Sequence, residues 1–181
     1  MTDRPEVEIT SREQWRAWLA EHHATSDGVW LVTWKKAAGD RHVPYEDLVL
    51  EALCFGWIDS RRRRVDDERS TITMTPRRPG SRWMQRNRDR VVRLEAEGLM
   101  TDAGRAAIEA AKASGAFDEL RPVEALEEPD DLRAALDEDS ARRERWDAST
   151  RSARFQALLH LHDAKRPETR ARRIAGILAD L

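Results

Sequence analysis

Two short segments of the sequence combine aromatic, acidic and basic side chains at a spacing suited to ligand binding. In the first, GWIDS, strand alternation places Trp57 and Asp59 on one face, and Arg61 follows two residues later. The second, PRRPGSRWMQRN, is a polar cluster at a predicted strand-to-helix junction and contains Arg77, Arg78, Ser81, Trp83 and Asn87. Backbone N–H groups and the helix dipole at such a junction favour an anion. These segments predict a site for a small anionic or aromatic ligand, bound by stacking and bidentate hydrogen bonds.

The same residues allow two other interpretations. In a purely structural one, both tryptophans are core residues, Asp59 pairs with a nearby arginine and Ser81 only caps a helix. In a catalytic one, the protein is a cofactor-independent enzyme. Asp59 then acts as acid or base, while Arg77 and Asn87 hold charge that develops in the transition state.

The charges are unevenly distributed, although the formal net charge of the 181-residue chain is only −2. Between Asp59 and Arg93 there are twelve arginines and five acids, and between Ala116 and Asp147 there are twelve acids and five arginines. The arginine-rich block 61–93 therefore suggests nucleic-acid binding, with affinity that falls steeply with salt. We rank this function third because the acidic segment can neutralise the basic block.

Other chemistries lack their sequence patterns. There is no phosphate loop, dinucleotide motif, GxSxG or CxxC, and His160 and His162 point to different faces of a predicted helix, so we expect no cofactor and no metal site. Cys54 lies in an apolar helix and is expected to be a small buried hydrophobe. A single cysteine, with no signal peptide or membrane-spanning run, indicates a cytoplasmic protein without membrane insertion. The oligomeric state is left open.

The elements that position the two segments follow from periodicity and turn residues. The sequence predicts strands at 7–9, 29–34, 57–65 and 70–75, and helices opening at Ser11 and at Tyr45. Ser81 is predicted to cap a helix carrying Trp83, and Thr71, Thr73 and Thr75 to face outward. The order β-α-β-α-β-β followed by helices predicts an α+β fold: a small, mostly antiparallel sheet with helices packed on it and a helical C-terminal half.

The chain is expected to form one domain in two parts. Residues 1–117 make the α+β core that carries the polar segments. In residues 118–181 apolar residues thin out and acids cluster before two amphipathic helices. We expect this helical extension to pack on the same core.

Three longer segments carry a family resemblance: ALCFGWIDS, TPRRPGSRWMQRNRDRVVRLEAEGLMTDAGRAAIEAAKASGAF and AKRPETRARRI. With the opening helix and the strand VWLVTWKKA, they make nearly the whole chain resemble the bacteriocin-protection family, also called YdeI or OmpD-associated proteins. The resemblance implies a soluble bacterial protein that is involved in stress tolerance or in resistance to peptide antimicrobials. It implies no established reaction. The family motif marks Lys35, Trp57, Asp59, Arg77, Ser81, Trp83 and Asn87. One departure is Met84, where the family usually has a serine, so one hydroxyl is missing from the expected site.

Overall fold

A four-stranded sheet organises the first part of the chain in the computed structural model, which describes residues 4–181. Its strands are β1 (Glu6–Glu8), β2 (Val29–Trp34), β3 (Trp57–Arg64) and β4 (Arg69–Pro76). They lie in the order β1-β2-β4-β3, so β3 is an edge strand. β1 pairs with β2 in parallel, and β4 is antiparallel to both of its neighbours. The predicted mostly antiparallel sheet is confirmed.

Four helices accompany the sheet: α1 (Arg12–His22), α2 (Tyr45–Cys54), α3 (Gln85–Ala96) and α4 (Asp102–Ala113). A 3₁₀ segment at Lys36–Arg41 joins β2 to α2. The core holds Trp15 and Leu19 of α1 and Ile72 and Met74 of β4, all at most 2% exposed. No helix within residues 4–181 is both long enough and apolar enough to span a membrane.

The start of α1 shows how local sequence sets an element boundary. The Ser11 hydroxyl accepts a hydrogen bond from the backbone N–H of Gln14, as the capping-box pattern predicts. The Gln14 side chain returns a bond to the N–H of Thr10, at 2.8 Å, one residue before the cap. Both bonds satisfy donors near the start of the helix, where the intrahelical ladder has no acceptor.

The threonines of β4 correct one sequence prediction. Thr71 and Thr73 were expected to face outward into solvent, but they are only 5% and 4% exposed. On that face of the sheet, Thr73 pairs with Trp30 and Thr71 with Val32. Cross-strand neighbours of this kind cover part of a small threonine side chain.

The described chain divides into two compact units, the first ending at Asp118 and the second comprising Glu119–Leu181. The second unit contains α5 (Arg121–Glu124), α6 (Asp130–Asp137), α7 (Ser140–Ala148), α8 (Arg151–His162) and α9 (Pro167–Ala179). Its core is formed by Leu120, Val123, Leu132, Leu136, Trp146, Leu158 and Leu161. The sheet followed by helices confirms the predicted α+β class. Packing of residues 118–181 on the core of residues 1–117 stays a prediction.

Candidate functional site

A cavity of about 700 Å³ opens beside the end of β4. It is lined by residues of the amino-terminal strand region, of β3 and β4, and of the loop after β4: Arg4, Asp27, Ile58, Ser60, Thr73, Thr75, Pro76, Arg77, Arg78, Pro79 and Ser81. Three of these residues are arginines and one is a carboxylate, so the lining carries a positive formal charge. Four hydroxyl side chains supply further hydrogen-bonding groups.

Arg77 is the most unusual residue of this lining. Its guanidinium carbon lies 3.7 Å from the ring centroid of Trp83, which is itself 1% exposed. Nη1 reaches the carbonyl oxygen of Arg82 only at 3.5 Å, and Nε is buried without a hydrogen-bond partner. No carboxylate in residues 4–181 forms an ion pair with Arg77. A half-buried cation without an ion-pair partner is costly, because it has lost part of its hydration and no opposite charge compensates for the loss.

The electrostatics of Arg77 agree with this geometry. Burial lowers the pKa of Arg77 to about 10, and the negative charge of Asp59 offsets part of that effect. The guanidinium stays protonated at neutral pH, but its surroundings disfavour the charged form. A bound anion would reverse this by supplying the missing charge.

Thr73 contributes a second unsatisfied group to the same cavity. Its Oγ1 is buried and has no hydrogen-bond partner. Thr73, Thr75 and Arg77 are spaced two residues apart, so strand alternation turns them to one side of the sheet. Two residues of the cavity lining therefore carry a buried polar atom without a partner, whereas buried polar groups in folded proteins normally have partners.

The loop between β4 and α3 places the remaining polar residues and corrects the prediction for Ser81. The hydroxyl of Ser81 accepts a bond from the N–H of Arg78 at 3.2 Å, inside a tight turn, so it caps no helix. Helix α3 starts four residues later, at Gln85, and its N-cap residue Met84 makes no side-chain cap bond. The N–H of Trp83 donates to the carbonyl of Ala116, which holds this segment outside the helical ladder.

Two predicted site residues lie elsewhere and have structural partners. Lys35 donates from Nζ to the carbonyl oxygens of Asp66 and Asp67, at 2.7 and 3.0 Å, and so binds the turn between β3 and β4. Trp57 is 1% exposed and donates from Nε1 to the carbonyl of His23. Neither side chain lines the cavity.

Asp59 and Asn87 belong to a second cluster, at the start of α2. Asp59 accepts a 2.6 Å hydrogen bond from the hydroxyl of Tyr45, and burial together with this carboxylate raises the pKa of Tyr45 to about 12. Asn87 accepts a 2.7 Å bond from Arg90, which also pairs with Glu46. Of the predicted site residues, the structure brings Arg77, Arg78 and Ser81 together in the cavity lining, with Arg77 over the ring of Trp83. An acid or base role for Asp59 stays a prediction.

Sequence reasoning missed five polar residues of the cavity: Arg4, Asp27, Ser60, Thr73 and Thr75. The alternating threonines of β4 were noticed, but alternation gives the face of a strand and not its burial. Nothing in the local sequence marks Arg4 and Asp27 as residues of a site. They reach the cavity because the chain around β1 pairs with β2, where the N–H of Trp30 donates to the carbonyl of Pro5.

The arginine-rich block 61–93 divides between exposed and buried positions. Arg61 to Arg64 are exposed on β3, where Arg63 stacks on Trp30 at 4.3 Å. Arg88 and Arg90 are 3% and 8% exposed. The block is therefore not a uniformly exposed basic face, and nucleic-acid binding stays a prediction.

The cavity lining is rich in hydrogen-bond donors. Its guanidinium and hydroxyl groups are donors, and Asp27 is the one carboxylate among its described lining residues. Within residues 4–181, no group of three or more His, Cys, Asp or Glu side chains is arranged to hold a metal ion.

Comparison with known families divides the chain at nearly the same place as its two units. Residues 7–107 match a domain of unknown function, DUF8412, and residues 125–181 match the model described as Bacteriocin-protection, YdeI or OmpD-Associated. The resemblance seen in the sequence is confirmed for that C-terminal part, which includes AKRPETRARRI. It does not extend over nearly the whole chain, since ALCFGWIDS lies in the other match. No curated protein and no solved structure matches the chain. The chain therefore belongs to the DUF8412 family, and its residues 125–181 match the model described as Bacteriocin-protection, YdeI or OmpD-Associated.

Proposed function

We propose that the first unit binds a small anionic ligand in the cavity beside Arg77, and that this binding serves a protective role. The bacteriocin-protection match at residues 125–181 supports the protective role. The anion site is supported by one observation above all, the half-buried guanidinium of Arg77, whose buried Nε has no hydrogen-bond partner. A charge held in this way lowers stability, and departures from good packing and pairing are concentrated at functional positions.

The charges around the cavity favour an anion over a neutral ligand. Arg4 and Arg78 add two positive charges to that of Arg77, against the single negative charge of Asp27. A concave site with an excess of one sign of charge raises the local concentration of oppositely charged molecules. Guanidinium groups also match the planar geometry of carboxylate and phosphate oxygens.

The burial of the two tryptophans favours an anionic ligand over an aromatic one. Trp57 and Trp83 are both 1% exposed, and the ring of Trp83 is already in contact with Arg77. Neither indole offers a free face for stacking a ligand. The ring of Trp83 instead packs against the guanidinium of Arg77. This cation–π contact partly offsets the hydration that the guanidinium has lost.

Thermal denaturation with inorganic phosphate, sulfate and acetate at constant ionic strength tests the proposal. Anions that bind should raise the melting temperature, by an amount corresponding to about 2.7 kcal/mol at one hundred times the dissociation constant. Arg77→Met should abolish the shift. Arg77→Lys should weaken it, because an ammonium lacks the bidentate fork. Arg86→Met is the matched control, since Arg86 is exposed on α3 outside the cavity. Equal shifts in wild type and Arg77→Met would exclude this site.

A further inference from the structure

Resting on the proposed anion site, we infer that its ligand is a polyhydroxylated small molecule with one anionic end, a sugar phosphate or a sugar acid. The anionic end binds Arg77, and the hydroxylated body binds Thr73. Thr73 is then a specificity-determining residue of the cavity.

The size of the cavity requires more than a bare oxyanion. Its volume of about 700 Å³ falls within the range of roughly 300–1,000 Å³ that is typical of small-molecule sites. A phosphate or carboxylate group occupies only the part of that space beside the guanidinium. The remaining part extends along β4, towards Thr75 and Thr73.

The two unsatisfied groups mark the two ends of such a ligand. Thr73 and Arg77 are four residues apart along an extended chain, which separates their backbones by roughly 13 Å at the usual rise per residue. An inorganic anion bound at Arg77 would leave the Oγ1 of Thr73 without a partner. A ligand with a body as well as an anionic end satisfies both groups.

The groups around Thr73 favour a neutral, hydroxyl-bearing body. A threonine hydroxyl both donates and accepts, as a ligand hydroxyl does, and Thr75 and Ser60 supply two more groups of this kind. The carboxylate of Asp27 accepts hydrogen bonds from hydroxyls and repels a second negative charge. The lining therefore matches a ligand with one anionic group and several hydroxyls better than a ligand with anionic groups at both ends.

Isothermal titration with four probes tests the inference: inorganic phosphate, glucose 6-phosphate, ribose 5-phosphate and gluconate. At least one hydroxylated probe should bind about tenfold more tightly than inorganic phosphate, because it adds one or two hydrogen bonds of ordinary strength. The phosphorylated and carboxylated probes distinguish the two kinds of anionic end.

Thr73→Val removes the hydroxyl with little change of shape. This substitution should lower the affinity for the preferred hydroxylated probe about fivefold and leave the affinity for inorganic phosphate unchanged. The matched control is Thr71→Val, at a residue of the same strand and face that is 5% exposed and does not line the cavity. Because Oγ1 of Thr73 has no partner to lose, melting curves should show that Thr73→Val is folded and as stable as wild type.

Failure of this inference is distinguishable from failure of the anion site. If no hydroxylated probe binds more tightly than phosphate, or if Thr73→Val and Thr71→Val behave alike, the assignment of Thr73 is wrong while the anion site stands. If none of the four probes binds, or if Arg77→Met binds them as wild type does, the anion site itself is wrong.

Discussion

Replacing Arg77 with methionine is expected to stabilise the protein in the absence of added anion, while removing its capacity to bind one. Methionine has a similar length and can keep the apolar contact with Trp83. It carries no charge that burial would penalise. Most substitutions of buried residues destabilise a protein, so a gain in stability here would be a specific signature of a charge kept for ligand binding.

The size of the effect follows from the environment of the guanidinium. Burial lowers its pKa from the ordinary value of an arginine to about 10, which corresponds to roughly 3 kcal/mol against the charged form at about 1.4 kcal/mol per pKa unit. The substitution also removes the cation–π contact with Trp83, worth about 1 kcal/mol. The hydrogen bond to the Arg82 carbonyl is too long, at 3.5 Å, to contribute much. A net gain of about 1 to 2 kcal/mol is expected, or roughly 5 °C in melting temperature.

Urea unfolding and thermal denaturation measure this difference. Because the pKa of the cation is depressed, its cost is present at every pH below about 10 and is lost only as the pH rises through that value. The gain should therefore be constant through the neutral range. Arg86→Met should change the free energy of unfolding by no more than about 0.5 kcal/mol. A loss of more than about 1 kcal/mol in Arg77→Met would show that the guanidinium is a structural residue, and the argument from its missing partner would fail.

Two further predictions concern the ionisation of Tyr45 and the close packing of Gly104. Tyr45 is the chain's only tyrosine, so an ultraviolet titration of tyrosine ionisation reports this residue alone. The midpoint should lie near pH 12 in wild type and lower in Asp59→Asn. It should stay above the ordinary 10.0 in the variant, because burial raises the pKa of Tyr45 more than Asp59 does. The stabilisation from this hydrogen bond is present below pH 10 and is lost as the pH rises towards 12; an unchanged midpoint in Asp59→Asn would contradict the pairing. In α4, Gly104→Ala should lower the free energy of unfolding by about 3 kcal/mol, since its Cβ would collide with the carbonyl oxygen of Cys54. Gly176→Ala, in open space on α9, should raise it by up to about 1 kcal/mol in the same urea assay, and similar changes in both variants would refute the close contact.

Much of the fold could be predicted because it depends on patterns within single elements. Helical spacing predicted a helix opening at Tyr45, and α2 begins at that residue in the structure. The alternation in β4 correctly placed Ile72 and Met74 inward. The start of α3 was wrong because Ser81 makes its hydrogen bond within a turn, which a capping pattern alone does not reveal.

The candidate site was predicted only in part, for a related reason. The segment PRRPGS marked Arg77, Arg78 and Ser81, since polar residues beside two prolines are recognisable in the sequence. The sequence also grouped Lys35, Asp59 and Asn87 with them, but these side chains pair with a turn, with Tyr45 and with Arg90. Polar residues that lie in one sequence motif can form hydrogen bonds with many other residues once the chain is folded.

The sequence by itself therefore determined the α+β class, the strands and helices of the first unit, and a positively charged segment able to meet an anion. Only the tertiary structure decided which of those charges remained without a partner. Secondary structure follows from neighbours a few residues apart, whereas the partner of a guanidinium depends on residues brought together from distant parts of the chain. Arg90 forms an ion pair with Glu46, whereas Arg77 forms none with any carboxylate in residues 4–181 and is affected by Asp59 only through its charge. That difference, which no spacing encodes, is what points to the cavity at the end of β4.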